Sequence, residues 1–155
     1  MKIKLRHTGR LDIDALEHLA TQEREIHGDC GWRQWELPVF ADHGRNYVLE
    51  IDGEFAGAAQ LIRNWDDPSG VYLAGFGLAA SRQGRGWGTR FLKLLLTELA
   101  GQNVTAVELT VAPDNTGALK VYDEAGFKVI DRHDGKYGVG EDRLIMRLEL
   151  GEKQA

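Results

Sequence analysis

Three observations predict an α/β protein built as one domain. Apolar residues recur with the two-residue period of strands and the 3.6-residue period of helices in alternation along the whole chain. A length of 155 residues suits one domain, with a core large enough to need no cross-links. A glycine-rich segment, Gln83-Gly84-Arg85-Gly86-Trp87-Gly88-Thr89, joins the apolar run 71–80 to a strongly helical stretch.

The opening residues Lys2-Ile3-Lys4-Leu5-Arg6 alternate charged and aliphatic side chains, as a half-buried strand does. Asp12 then caps a helix that places Ala15, Leu16, Leu19 and Ala20 on one face and runs to about Glu25. Residues 26–45, with His27, Cys30, Trp32, Trp35, Pro38 and Phe40, read as a short broken helix. Runs rich in β-formers at 47–51 and 55–63 flank Asp52-Gly53-Glu54, whose Asp-Gly pair predicts a hairpin. A strand over 71–78 follows. The helix after the glycine loop carries Phe91, Leu92, Leu95, Leu96 and Leu99 at helical spacing, and Gly101 ends it. Residues 104–111 form a strand with Val107, Leu109 and Val111 on one side and Glu108 and Thr110 on the other. Pro113 and Asp114 close it, a helix continues to Ala125, and Gly126 supplies a left-handed stop. Residues 127–132 and 143–150 pair as a last hairpin, so the order is β-α-α-β-β-β-α-β-α-β-β.

Composition narrows the function. The formal net charge of −5 argues against a nucleic-acid partner and mildly favours amines. The N-terminus leads into no continuous apolar stretch, which predicts a soluble protein with no signal peptide or membrane span. The single cysteine, Cys30, excludes an internal disulfide and suits a reducing cytoplasm. The five histidines lack the paired helical spacing of a zinc site, so no metal is expected.

The glycine loop is the most informative segment. Glycine admits close approach to the backbone, and the unpaired N–H groups of a helix's first turn favour phosphate. The loop lacks the Gly-Lys-Ser/Thr ending of a P-loop and the Gly-x-Gly-x-x-Gly order of a dinucleotide fold. Its Gln83-x-x-Gly86-x-Gly88 pattern resembles the acetyl-CoA loop of the GNAT N-acetyltransferases, and Asn115-x-x-Ala118-x-x-x-Tyr122-x-x-x-Gly126-Phe127 is similar to the second half of that family's signature. The resemblance covers about residues 70–130. It implies a GNAT fold over 1–150, a mixed and mostly antiparallel sheet flanked by helices, with a short tail at 151–155. It also implies acetyl-CoA as co-substrate and a homodimer as a plausible assembly.

Amine attack on a thioester needs a gripped CoA, a neutral amine, a polarised carbonyl and a proton for the leaving thiolate. Gln83, Gly84, Arg85, Gly86, Trp87, Gly88 and Thr89 are the expected cofactor contacts, with Arg82, Arg85 or Arg90 available for phosphate charge. The resemblance adds the backbone N–H of Leu78 as carbonyl donor and Asn115, a possible helix cap, as a further cofactor contact. Tyr122, two turns after Asn115, is the expected general acid. For the general base, related N-terminal acetyltransferases carry a glutamate where this chain has Thr110. Glu108 on the same strand face is the replacement candidate, beside Asp66, Asp67 or a water chain. Trp32, with Trp35 and Trp65 as further aromatics, is expected to line the acceptor site. The tail 136–146 resembles the final hairpin of ribosomal-protein and peptide N-terminal acetyltransferases, which makes Tyr137 a substrate-site candidate. The acceptor is then a small-molecule amine or a peptide N-terminus. Two other classes compete: an acyl-CoA sensor without turnover, and a nucleotide-binding domain.

Overall fold

The computed structural model describes residues 1–151, so of the tail expected at 151–155 all but Gly151 lies outside the described residues. Among the described residues the strands and helices follow the expected order. They are β1 (Ile3–His7), α1 (Ile13–His27), α2 (Leu37–His43), β2 (Arg45–Ile51), β3 (Glu54–Arg63), β4 (Gly70–Leu78), α3 (Trp87–Ala100), β5 (Ala106–Val111), α4 (Thr116–Glu124), β6 (Lys128–His133) and β7 (Arg143–Glu149). Short 3-10 turns occupy Gly28–Cys30 and Ala80–Arg82. The strand order in the sheet is β1-β2-β3-β4-β5-β7-β6. Neighbours β1/β2, β2/β3, β5/β7 and β6/β7 run antiparallel, and β4/β5 runs parallel. The chain divides into two compact units, residues 1–62 with 73–91 and residues 63–72 with 92 onward.

In the first unit, Asp12 caps α1 by accepting from the Ala15 N–H at 2.8 Å. The helix runs to His27, two residues beyond the expected end, and stops at Gly28. The segment expected as a broken helix resolves into the turn at 28–30 and α2, which carries Pro38 in its first turn. Leu19 and Ala20 of α1 pack with Leu37, Val48 and Ala58, and Leu16, Trp32 and Phe55 cover this cluster. Asp52 and Gly53 both take positive φ (52° and 82°), as the Asp-Gly pair predicts for a hairpin, but Glu54, expected in the turn, already belongs to β3, so the loop has two residues.

A polar cluster lies inside this unit: Glu23, Asn46 and Gln60 are each 0% exposed. Gln60 Nε2 donates to Glu23 Oε1 at 3.0 Å and to Asn46 Oδ1 at 2.9 Å. Gly75 of β4 makes room for it, because a Cβ there would overlap Gln60 Oε1 and stand 2.7 Å from Trp32 Nε1. Gly75→Ala is therefore expected to cost about 1–3 kcal/mol, as overpacking does. Urea denaturation reads this, and a midpoint unchanged from wild type would mean that Gln60 moves aside freely.

In the second unit, β5 buries Ala106, Val107, Leu109 and Val111 and leaves Glu108 and Thr110 partly open, as the alternation predicts. α3 ends at Ala100 beside Gly101, but the left-handed residue is Asn103 (φ 61°), which lets the Val104 N–H bond the Leu99 carbonyl at 3.2 Å. Gly126 takes the expected positive φ of 99°. The parallel β4/β5 register covers Gly70↔Ala106, Val71↔Val107 and Tyr72↔Glu108, while β4 itself continues to Leu78.

Candidate active site

The loop that opens α3 has the backbone of an anion site. Gly84 and Gly86 stand at φ 72° and 80°, a region that L side chains avoid, and a Cβ at either would meet nothing within 4 Å. Glycine is thus required there for conformation, and the space beside it is open to a ligand. The side chain of Gln83 fastens the loop to the end of β4, with Nε2 donating to the Leu78 carbonyl at 3.0 Å. The Arg90 N–H reaches the Gly86 carbonyl at 3.3 Å, which begins the helical ladder. By helix geometry the N–H groups of Trp87, Gly88 and Thr89 precede that ladder. Trp87 is buried with Arg90 stacked 4.6 Å from its ring centre, so its main chain rather than its indole can serve a ligand. Arg85 and Thr89 are exposed. Loop, glycines and helix start fit a pyrophosphate group.

In the second unit, Asn115 is the helix cap, accepting from the Ala118 N–H at 3.2 Å, so the alternative cap Asp114 is not used. Tyr122 is 8% exposed and its ring lies 5.7 Å from that of Phe127. Burial pushes its phenol up to about 12, which keeps it protonated and able to donate at neutral pH.

Glu108 is engaged: Oε1 accepts from Arg147 Nη1 at 3.1 Å, across the register pair Glu108↔Arg147. Thr110 on the same face joins a hydroxyl triad that was not legible in the sequence. Tyr72 OH lies 3.1 Å from Thr110 Oγ1 and 3.4 Å from Tyr137 OH, and the last two oxygens are 3.4 Å apart. Burial pushes the Tyr72 phenol up to about 12. Burial also acts to raise Tyr137, but hydrogen bonds from Thr110 and Tyr72 and the charges of Lys136 and Arg143 prevail and lower it. The Arg143 guanidinium sits 5.2 Å from the Tyr137 ring centre. Tyr72 could have been found from the strand alternation, since it sits between the buried Val71 and Leu73 and so points to their opposite side.

Trp32 packs against Phe40 at 4.8 Å and forms a wall of a cavity of about 360 Å³ that Arg24, Asp29 and Arg33 also line. Trp35 and Trp65 are 88% and 97% exposed and line no such wall. Asp67 serves its own turn, accepting from the Ser69 hydroxyl at 2.6 Å. Cys30 is exposed, and among the described residues no cluster of acidic, histidine or cysteine side chains could hold a metal.

The chain is 30% identical over 79 residues to the L-2,4-diaminobutyric acid acetyltransferase of Nocardia farcinica (strain IFM 10152), a match covering 51% of this chain and 41% of that enzyme. In fold it is similar to the ribosomal-protein-S18-alanine N-acetyltransferase of Escherichia coli, with a TM-score of 0.82, 20% identity, and coverage of 99% and 97% of the two chains. It is also similar to yncA of Salmonella typhimurium, solved with its cofactor acetyl-CoA, with a TM-score of 0.74, 19% identity, and coverage of 100% and 98%. The family model for acetyltransferases of the GNAT type matches residues 13–127, a span that holds the glycine loop, the Asn115 cap and Tyr122. With loop, helix start and signature in place, this chain belongs to the acetyltransferase (GNAT) family.

Proposed function

We propose that this protein transfers the acetyl group of acetyl-CoA to a primary amine by direct attack, without a covalent enzyme intermediate. The observation that carries the reading is the loop at 83–89, left-handed at Gly84 and Gly86, open above both, and continuous with the first turn of α3. When bound, acetyl-CoA supplies a thioester carbonyl and a thiolate leaving group. The N–H groups of 84–89 grip the pyrophosphate, and Arg85 adds charge. Asn115 contacts the cofactor arm while capping α4. The Leu78 N–H polarises the carbonyl, and Tyr122, protonated through the neutral range, is the acid for the departing sulfur. Glu108 is the replacement base candidate that the sequence offers, beside Asp66, Asp67 or a water chain, but its Oε1 accepts from Arg147, so it acts more readily as that arginine's partner than as a proton acceptor.

The acceptor is a small-molecule amine or a peptide N-terminus, and the diaminobutyrate and S18-alanine enzymes support one class each. Tyr137, tied to Tyr72 and Thr110, and Trp32, in the cavity wall, are the acceptor contacts. A cytoplasmic setting suits the single, exposed Cys30. Among the described residues no helix is long and apolar enough to cross a membrane.

Thiol release from acetyl-CoA with mixed amines and N-terminal peptides tests the reading beside calorimetry of acetyl-CoA alone. Binding without release under any acceptor would favour a sensor. Tyr137→Phe is expected to raise the acceptor KM about tenfold, the effect of one lost hydrogen-bonding hydroxyl, with acetyl-CoA affinity unchanged. A KM unchanged from wild type would remove Tyr137 from the acceptor site.

A further inference from the structure

We infer that His27, held against Gly77 beside the buried carboxylate of Glu23, takes the proton from the attacking amine. The assignment rests on the acetyl-transfer reading and supplies the base that reading lacks. Leu16, Leu19, Ala20, Glu23 and His27 share one stripe of α1, so an acid and an imidazole extend a face that is otherwise apolar. The stripe meets β4 where that strand has no side chain: a Cβ on Gly77 would stand 2.8 Å from both Cε1 and Nε2 of His27. The imidazole edge therefore lies on the backbone immediately before Leu78, the proposed carbonyl donor. Its side chain is 28% exposed, whereas that of Glu23 is 0% exposed, so His27 is the member of the pair open to an incoming amine.

Glu23 is held on three sides. Oε1 accepts from Gln60, while Oε2 accepts from the Trp32 N–H at 3.4 Å and lies 3.8 Å from His27 Nε2. Gln60 Oε1, buried beside Gly75, has no hydrogen-bond partner among the described residues. A buried acceptor of this kind calls for a donor brought by water or by a bound molecule. Burial lowers His27, so the imidazole is neutral and ready to accept at neutral pH, while burial raises Glu23 against the hydrogen bonds from Gln60 and the Trp32 N–H that favour its carboxylate. Among the described residues Glu23 is the charged group that pairs with the ring, and β4 presents Gly77 to its edge.

The step balances. The substrate ammonium gives one proton to His27 Nε2, where the Glu23 carboxylate favours the imidazolium. The freed lone pair forms the C–N bond to the acetyl carbon, the C–S bond breaks, and the second proton leaving nitrogen ends on the CoA sulfur. His27 then returns its proton to water.

The test uses the full chain with acetyl-CoA and the best acceptor amine. His27→Ala should lower kcat about 100-fold or more, leave the acetyl-CoA Kd within about twofold, and regain turnover with added imidazole. Glu23→Gln, a positioning change, should move the acid limb of the kcat/KM profile and the NMR titration of His27 in the free protein to lower pH, with the acceptor KM held. An active, folded His27→Ala overturns the assignment while sparing the transfer reading. Should His27→Ala not fold, an unmoved profile and titration in Glu23→Gln overturn it. Wild-type protein that binds acetyl-CoA yet releases no thiol with any amine overturns both readings.

Discussion

Gly86→Glu is expected to abolish acetyl-CoA binding, by about 100-fold or more in Kd, which corresponds to about 2.7 kcal/mol. Two physical terms act together. Residue 86 holds φ 80°, so any L side chain there carries strain on the order of 1–2 kcal/mol. A carboxylate also enters the open space beside the loop and meets phosphate with like charge. Gly86→Ala separates the two, because it brings the strain without the charge or length and should weaken binding far less. Calorimetry of the pair is decisive: equal loss in both variants would assign the effect to distorted backbone, and retained binding in the glutamate variant would remove the loop from the cofactor site.

Tyr122→Phe is expected to slow acetyl transfer by about 100-fold, the usual scale of a lost general acid, with acetyl-CoA affinity unchanged. The same substitution has a stability signature, because the folded phenol ionises near 12 and the unfolded one near 10. With the folded value the higher, the phenol's contribution is complete below pH 10 and is lost as pH rises through 12. That loss is on the order of 2–3 kcal/mol at about 1.4 kcal/mol per unit. The phenylalanine variant cannot show it, so its denaturant midpoint should fall less steeply between pH 10 and pH 12. Tyr72, also raised to about 12, keeps some alkaline loss in both proteins. Wild-type turnover in Tyr122→Phe would end the acid assignment. A matching alkaline slope would show that burial does not hold this phenol neutral.

Short-range features were legible because neighbouring residues decide them. Asp12 reaches the Ala15 N–H three residues on, Asp52-Gly53 adopts the paired positive φ of a hairpin, and Gly84 and Gly86 take the left-handed turn that their missing Cβ permits. Element order followed from periodicity, and the loop with the Asn115 to Phe127 signature pointed to the family. The 26–45 stretch was less legible, because a 3-10 turn and a seven-residue helix leave too few turns for a period to show.

The polar sites were decided by tertiary structure, because their partners are distant in sequence. Glu108 reads as a free strand carboxylate until register sets Arg147 opposite it, 39 residues on. Tyr72, Thr110 and Tyr137 become a triad once β4, β5 and the loop before β7 converge; strand alternation gives Tyr72 its side of β4 but does not say which hydroxyls it meets. Glu23 is conspicuous in the sequence only as an acid on an apolar stripe. Its meaning comes from Gln60, 37 residues away, and its neighbour His27 gains a place at β4 because Gly77 leaves room for the ring. Backbone geometry and helical or strand period are local properties that this sequence states directly. Which polar group meets which depends on strand register and burial, and the folded chain alone establishes those.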